Sequence, residues 1–191
     1  QRGRELLLEI APYADEELKG CVLPKIPLTW YFEGASHFAK QMFEEALVCF
    51  DNAFNGFQEL GLTSNAISAL KQVAIVNYYT YHIEEAISKF EQALLMSQTI
   101  NDSFAQMDIA QELHRLSGII GDMEGITKYT NLMDSLIANS TDKQVQFEYY
   151  CQKGAETQNQ GKYILAEQWY LKSKYIAENQ EETIESANKY L

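Results

Sequence analysis

The stretch FEEALVCFDNAF at 43–54 returns forty residues later as IEEAISKFEQAL at 83–94. The same spacing leads to MEGITKYTNLMD at 123–134 and to YILAEQWYLKSK at 163–174. The four segments align without an insertion or a deletion. A fixed period of this length predicts an array of stacked structural repeats.

A second, shorter period inside the segments predicts helix. The apolar residues of the first segment follow the spacing i, i+3, i+4, i+7, i+10 and i+11, which places them on one face of an α-helix. A small or apolar position on this face recurs as Ala46, Ala86, Ile126 and Ala166. The position four residues later recurs as Phe50, Phe90, Thr130 and Tyr170. Because Ile126 and Thr130 depart from the pattern, we expect the third repeat to pack least regularly.

Each of these helices is preceded by another one. Thr63, Asp102 and Asp142 stand in polar turns and are predicted to be the N-caps of the preceding helices. Gly121 and Gly161 mark the turns between the two helices of the third and fourth repeats. No proline occurs after Pro27, so no residue forces a break in the later helices. The sequence therefore predicts an all-α fold.

The first repeat resembles the tetratricopeptide repeat (TPR). The shared residues are Trp30 and Gly34 in the first helix, and Ala46, Phe50 and Ala53 in the second. The resemblance covers residues 26–191 and implies a right-handed α-solenoid of antiparallel helix pairs, a TPR-like superhelix. A usual TPR unit has about 34 residues. The longer units found here are similar to those of bacterial peptide-responsive regulators and of sensors of the two-component type.

The repeat boundaries predict the organisation of the chain. Residues 1–25 are expected to form an N-terminal helical segment, and the four TPR-like units are expected at 26–62, 63–102, 103–142 and 143–182. Residues 183–191 are expected to begin a fifth unit or to form a C-terminal cap. Because Leu6 and Ile10 fit the second helix of a preceding repeat, we expect the chain to be part of a larger protein.

The TPR resemblance implies that the first helix of each unit lines a groove for an extended segment of a partner. The inward positions of the first helices are Tyr31, Phe38, Lys71, Tyr78, Gln111, Arg115, Gln158 and Asn159. Aromatic rings would contact apolar side chains, and Lys71 and Arg115 would meet carboxylates or backbone carbonyls. The alternative is that Phe38 and Tyr78 belong to the helix–helix core and that both cations are solvated.

Some TPR proteins bind the C-termini of chaperones through a clamp of Lys and Asn on two carboxylates. Lys71 matches one clamp position, but Ile75 replaces the Asn. In the first repeat Tyr31 and Ala35 replace the whole pair. We therefore expect no ligand of this kind.

Composition excludes several classes of function. The formal net charge is −12 without a basic patch, which argues against nucleic-acid binding. The sequence has no run of 18 apolar residues, so membrane insertion by this segment is not expected. Cys21, Cys49 and Cys151 are odd in number and lack CxxC spacing, which argues against a disulfide framework or a zinc site.

Motifs of catalysis are missing as well. His37, His82 and His114 stand at three different repeat positions and have no metal-binding spacing. Acidic pairs such as Glu44 and Glu45 recur where a helix begins, and there they complement the helix dipole. We expect no catalytic residue, no metal and no cofactor, and therefore no enzyme.

The preferred interpretation is a non-catalytic scaffold that binds a protein or peptide, as the sensing or docking part of a larger bacterial signalling or transcription regulator. A peptide-responsive cytoplasmic regulator and a purely structural module that oligomerises are the alternatives, and association of copies stays open. The resemblance to sensors favours the periplasm, whereas three cysteines without pairing spacing favour the cytoplasm. The sequence leaves both locations open.

Overall fold

The computed structural model describes residues 2–13 and 16–178, without the side chains of residues 10, 16, 17 and 138. All regular structure in these residues is helical. Consecutive helices pack against each other, and the expected all-α fold of helix pairs is confirmed. The fifth unit or cap predicted at 183–191 lies outside the described residues.

From Lys25 onward the helices have nearly constant length, 15 to 18 residues. In chain order the described helices are α1 (Arg2–Ile10), α2 (Glu16–Val22), α3 (Lys25–Ala39), α4 (Phe43–Glu59), α5 (Thr63–Tyr79), α6 (Ile83–Thr99), α7 (Ser103–Ile120), α8 (Met123–Asn139), α9 (Lys143–Asn159) and α10 (Tyr163–Glu178). A 3-10 turn, Ala11–Tyr13, follows α1. From Phe43 to Tyr163, each helix begins twenty residues after the previous one. The forty-residue repeat therefore consists of two half-repeats of equal length.

Most half-repeats end in the same turn. One residue of each such turn has a positive φ: Gln41 (60°), Gly61 (68°), Tyr81 (65°), Asn101 (53°), Gly121 (74°) and Gly161 (74°). The next N–H then bonds to the carbonyl five residues earlier, as Met42 does to His37 and Lys162 to Thr157. This is the Schellman arrangement, which satisfies carbonyls that the helix end leaves without a partner. The predicted turn glycines Gly121 and Gly161 are confirmed.

Tyr81 occupies one of these left-handed positions with its side chain 89% exposed. An L-residue is strained there and glycine is not, so we expect Tyr81→Gly to raise the free energy of unfolding by about 0.5–1 kcal/mol. Urea denaturation followed by the helical circular dichroism signal measures this change. Tyr79→Gly, two residues earlier and inside α5, is the control and should lower stability. A loss of stability in both variants would contradict the strain argument.

Two of the three predicted N-caps are confirmed. The carboxylate of Asp102 accepts the N–H of Ala105 at 2.9 Å. Asp142 accepts the N–H groups of Gln144 and Val145 at 2.9 and 3.3 Å. The prediction for Thr63 is wrong, because Leu62 is the N-cap residue and Thr63 is the first residue of α5. In this turn the helix begins two residues after Gly61, the residue with positive φ, so the N-cap is the residue between them.

The core lies between first and second helices. Phe50 and Phe90 are 1% and 0% exposed, and Ala46 and Ala86 are fully buried. One cluster joins Ala46 and Phe50 to Val73 and Val76, which connects α4 to α5. A second cluster has the same role and contains Ala53, Phe57, Ala66 and Ala69. The residues that define the repeat are thus the residues that hold neighbouring helices together.

Helix α8 departs from the pattern in a specific way. Its buried residues are Gly125, Tyr129, Met133 and Ile137. The positions that match the motif by period, Ile126 and Thr130, are only half-buried. The buried stripe is therefore displaced by one residue, so that Gly125 and Tyr129 take the places of the small and the aromatic residue. The third repeat is irregular, as expected, because its core stripe has shifted along the sequence.

The chain divides into two compact units, of which the first ends at Tyr129 and the second begins at Thr130. Cys49 and Cys151 are buried free thiols, and Cys21 is an exposed one. Each helix in the described ranges is too short or too polar to cross a bilayer.

Candidate functional site

The first helices α3, α5 and α7 of the first unit are joined side by side. Phe38 of α3 contacts Tyr79 of α5, with ring centroids 5.2 Å apart. Two further contacts lead from α5 to α7, an ion pair from Lys71 to Asp108 and a cation–π contact from Tyr78 to Arg115. We call the surface formed by these residues and Glu112 the first-helix face. It brings together four of the predicted site residues, Phe38, Lys71, Tyr78 and Arg115.

Four aromatic rings and one guanidinium form a continuous row, which begins at Phe43 of α4 and continues along this face. We call it the aromatic ladder: Phe43, Phe38, Tyr79, Tyr78 and Arg115. Successive ring centroids are 5.7 Å (Phe43 to Phe38), 5.2 Å (Phe38 to Tyr79) and 5.5 Å (Tyr79 to Tyr78) apart. The guanidinium carbon of Arg115 lies 4.4 Å from the centroid of the Tyr78 ring. Edge-to-face geometry and cation–π attraction both stabilise such a row.

The ladder is only partly buried. Tyr79 is 53% exposed, and Phe38, Phe43 and Tyr78 are half-buried. Each ring contacts the next ring of the ladder, and Phe38 and Phe43 also pack against the core cluster that contains Phe50. A partner that covers these rings would remove apolar surface from water without first ordering mobile side chains.

Charges on the first-helix face are already paired within the chain. The Lys71 ammonium contacts the Asp108 carboxylate, and Arg115 donates to Glu112 through two nitrogens, at 2.7 and 3.0 Å. The two cations expected to meet carboxylates of a ligand thus meet carboxylates of α7. An anionic ligand would compete with Asp108 and Glu112 for these cations, which makes the face a poorer match for acidic peptides.

The other predicted residues lie elsewhere. The Tyr31 ring packs on buried Phe50 at 5.6 Å and, like Phe38, is half-buried against the core cluster that contains Phe50. Gln111 is half-buried on α7. Gln158 and Asn159 are exposed at the end of α9 in the second unit, where Gln158 accepts the Tyr170 hydroxyl at 3.0 Å.

Two members of the ladder, Phe43 and Tyr79, were not predicted as site residues. Phe43 fits the core stripe of α4. Because that stripe already accounts for its apolar side chain, the sequence gives no separate sign of its contact with Phe38. Tyr79 directly follows Tyr78, and the forty-residue alignment selected only one of the pair. Consecutive tyrosines at the end of a first helix are a signal in the sequence, because neighbouring residues point to different sides of a helix.

The second unit has an aromatic cluster of its own. Tyr150 and Trp169 are stacked at 5.8 Å, and the Lys172 ammonium lies 4.3 Å from the Trp169 ring. The Tyr149 hydroxyl donates to Asp134, and burial together with this carboxylate raises the pKa of Tyr149 far above its ordinary value. These contacts connect α8, α9 and α10, so this cluster has a structural explanation.

The described residues provide little for chemistry. Within residues 2–13 and 16–178, no group of three or more His, Cys, Asp or Glu side chains is placed to hold a metal ion. His82 Nδ1 is 3.0 Å from the Thr80 hydroxyl, while His37 Nδ1 is buried without a hydrogen-bond partner. Aromatic rings and paired charges on adjacent helices are features of a binding surface.

Comparison with known proteins identifies the fold. No protein-family model and no curated protein matches the sequence. Among solved structures, BtubC from P. vanneervenii is 15% identical with a TM-score of 0.60, over 80% of this chain and 64% of that one. The Rap conjugation gene regulator of plasmid pLS20, in complex with the Phr* peptide, is 16% identical with a TM-score of 0.61, over 93% of this chain and 47% of that one. The chain thus spans less than two thirds of either structure, with which it shares a helical-repeat fold.

Proposed function

We propose that the first unit is a non-catalytic scaffold that binds an extended segment of a peptide or protein along the aromatic ladder. The observation that carries this proposal is the unbroken, partly exposed row from Phe43 of α4 through α3 and α5 to Arg115 of α7. Rows of fixed aromatic residues with an Arg are typical of the energetically dominant part of protein interfaces.

The chemistry of the face defines the ligand further. Tyr79 and Phe38 favour apolar or aromatic side chains, and the tyrosine hydroxyls accept or donate hydrogen bonds at the rim. Because Lys71 and Arg115 are paired with Asp108 and Glu112, the segment in contact is expected to be neutral or apolar. An acidic C-terminal peptide is not expected to bind with micromolar affinity.

Structural similarity supports a peptide as the partner. The pLS20 regulator has the same fold and holds the Phr* peptide, although the chains are only 16% identical. On this basis the chain is proposed to be the sensing or docking part of a larger bacterial signalling or transcription regulator. A peptide-responsive cytoplasmic regulator remains the alternative, and the sequence next to residues 1 and 191 of the parent protein distinguishes the two.

A peptide array tests the ladder. Random-sequence decapeptides on an array are probed with the complete chain, and fluorescence polarisation then measures the affinity of the peptides that bind. We expect these peptides to be rich in apolar and aromatic residues, and Tyr79→Ala to weaken binding about tenfold or more, since loss of a central interface aromatic costs about 2 kcal/mol. Tyr81→Ala is the matched control, because Tyr81 is 89% exposed and outside the ladder.

Two outcomes would contradict the proposal. In the first, the selected peptides bind Tyr79→Ala and Tyr81→Ala with equal affinity. In the second, the array selects mainly acidic peptides, which would mean that Lys71 and Arg115 are released from their carboxylates by the ligand.

A further inference from the structure

The outer face of α10 is apolar where other repeats are acidic. Ile164 stands at the position of Glu44, Glu84 and Glu124. Leu171 stands at the position of Asp51 and Glu91. Acids at the start of a second helix complement the helix dipole, and α10 has none in its first turn. The fourth repeat has thus exchanged charges on this face for aliphatic side chains.

These side chains are open to solvent. Ile164 is 78% exposed, Leu171 58% and Leu165 39%. Ile164, Gln168 and Leu171 have the spacing i, i+4, i+7 and form one stripe along α10. The opposite side of the helix, with Ala166 and Ser173, is buried. We call the stripe with its neighbour Leu165 the outer stripe of α10.

We propose that the outer stripe of α10 pairs with the same stripe of a second copy of this chain, in an antiparallel two-fold arrangement. The flank of the helix supports this occupant. Glu167 and Lys174 lie on one flank, seven residues apart, which is two turns of helix. Lys174 also lies 3.8 Å from Glu178 of the same helix, in an exposed and therefore weak ion pair that a second carboxylate can join or replace. In an antiparallel two-fold pair, residues of the same flank face each other, so Glu167 comes opposite Lys174 of the partner subunit. Because of the two-fold symmetry, the dimer contains this Glu–Lys contact twice.

The same register places a polar and an apolar residue side by side at the centre of the contact. When Glu167 faces Lys174 of the partner subunit, Gln168 lies beside Leu171 of the partner subunit, and Leu171 lies beside Gln168 of the partner subunit. A stable protein interface buries about 800 Å² on each side, and a single helix pair buries less. The dimer is therefore weak, with a dissociation constant in the micromolar range.

A further repeat stacked like the earlier ones would cover another side of α10. In α4, Leu47 and Phe54 contact the core clusters shared with the next helix, and the corresponding residues of α10 are Glu167 and Lys174. Gln168 of the outer stripe instead corresponds to Val48, which is 58% exposed although α5 follows α4. A further repeat would therefore leave the outer stripe open to solvent.

Sedimentation velocity of the complete chain, over a wide range of concentration, tests the pairing. We expect a reversible monomer–dimer equilibrium, and Ile164→Glu/Leu171→Glu should weaken it at least tenfold. This double variant restores acids that other repeats carry at the same positions, so the fold is kept. Val48→Glu/Leu95→Glu is the matched control, since it adds the same charges to outer positions of α4 and α6 that are 58% and 64% exposed.

Charge exchange tests the register. Glu167→Lys and Lys174→Glu should each weaken the dimer three- to tenfold, because like charges then face each other twice, and the combined exchange should restore it. A monomer at every concentration, or a combined exchange that stays as weak as the single variants, overturns the proposal. Peptide binding through the aromatic ladder is expected to be unchanged in all these variants, which separates this inference from the proposed function.

Discussion

Gly34→Ala is expected to lower the free energy of unfolding by about 2–3 kcal/mol, although it adds one methyl group and improves helix propensity. A Cβ atom at this position would lie 2.9 Å from two ring carbons of Phe50 and 3.1 Å from Cβ of Cys49. Contacts as short as these are repulsive, so either the Phe50 ring or one of the two helices must move.

The Phe50 ring has no room to move away from position 34. It is 1% exposed, it contacts the Tyr31 ring at 5.6 Å, and it packs with Val73 and Val76 of α5. Relief of the clash therefore separates α3 from α4 and disturbs the cluster that joins α4 to α5. Because protein interiors are packed as densely as crystals, the overlap of one added methyl group is enough to lower the free energy of unfolding by this amount.

Gly118→Ala is the matched control for Gly34→Ala. Gly118 also lies inside a helix, but a Cβ there would meet no atom within 4 Å. We expect this substitution to raise stability by about 0.5–1 kcal/mol, the ordinary gain of alanine over glycine in a helix. Urea denaturation followed by circular dichroism measures both variants. A gain in stability for Gly34→Ala would show that α3 and α4 are not in close contact at this position.

Part of this packing can be predicted from the sequence, because Trp30, Gly34, Ala46 and Phe50 match the spacing of the TPR pattern. The direct contact between position 34 and the Phe50 ring is visible only in the structure. The twenty-residue half-repeat is harder to detect, because first and second helices bury different residue types although their turns are alike. The helix lengths and the turn geometry recur every twenty residues, whereas the types of buried side chain recur every forty.

Contacts across helices limit the prediction of the site. The periodic alignment selected Lys71 and Arg115 as inward residues, but it does not say which residues of α7 come next to them. The pairing of Arg115 with Glu112 could have been predicted, because these residues are three apart on the same helix. The pairing of Lys71 with Asp108 follows only from the way α5 and α7 lie together. Tyr79 joins the ladder for the same reason, through its contact with Phe38 of another helix.

Tyr129→Ala is expected to lower the free energy of unfolding by about 3–4 kcal/mol, as for other large aromatic residues removed from a core. Tyr129 is 3% exposed, and its hydroxyl donates to Glu91 at 2.7 Å, which ties α8 to α6. Thr130→Ala is the control and should change stability by no more than about 0.5 kcal/mol. By the forty-residue period Thr130 matches Phe50 and Phe90, so equal losses at 129 and 130 would contradict the displaced stripe of α8.

Tyr129→Phe separates the hydroxyl from the ring and should cost about 1 kcal/mol at neutral pH, the usual value for a partly exposed hydrogen bond. Hydrogen bonds from Tyr129 first and Lys128 second hold the pKa of Glu91 below its ordinary value of 4.5. A carboxylate with a lowered pKa stabilises the fold above that value, and the contribution is lost as the pH falls through the lowered pKa. The stability gap between the wild type and Tyr129→Phe should therefore narrow below pH 4.5.

At alkaline pH the stability falls as the pH rises, because the titrating group is now Tyr129 itself. Burial first, and the Glu91 carboxylate second, raise the pKa of Tyr129 from 10.0 to about 12. The unfolded chain then loses the phenolic proton before the folded one does, so the wild type becomes less stable between these two values. Tyr129→Phe lacks this proton and should lack this part of the decline. Urea denaturation of the wild type and Tyr129→Phe across pH measures the acid and the alkaline change in stability. Tyr81→Phe is the control, because Tyr81 is 89% exposed. A gap that stays constant from acid to alkaline pH would mean that the hydroxyl of Tyr129 does not interact with Glu91.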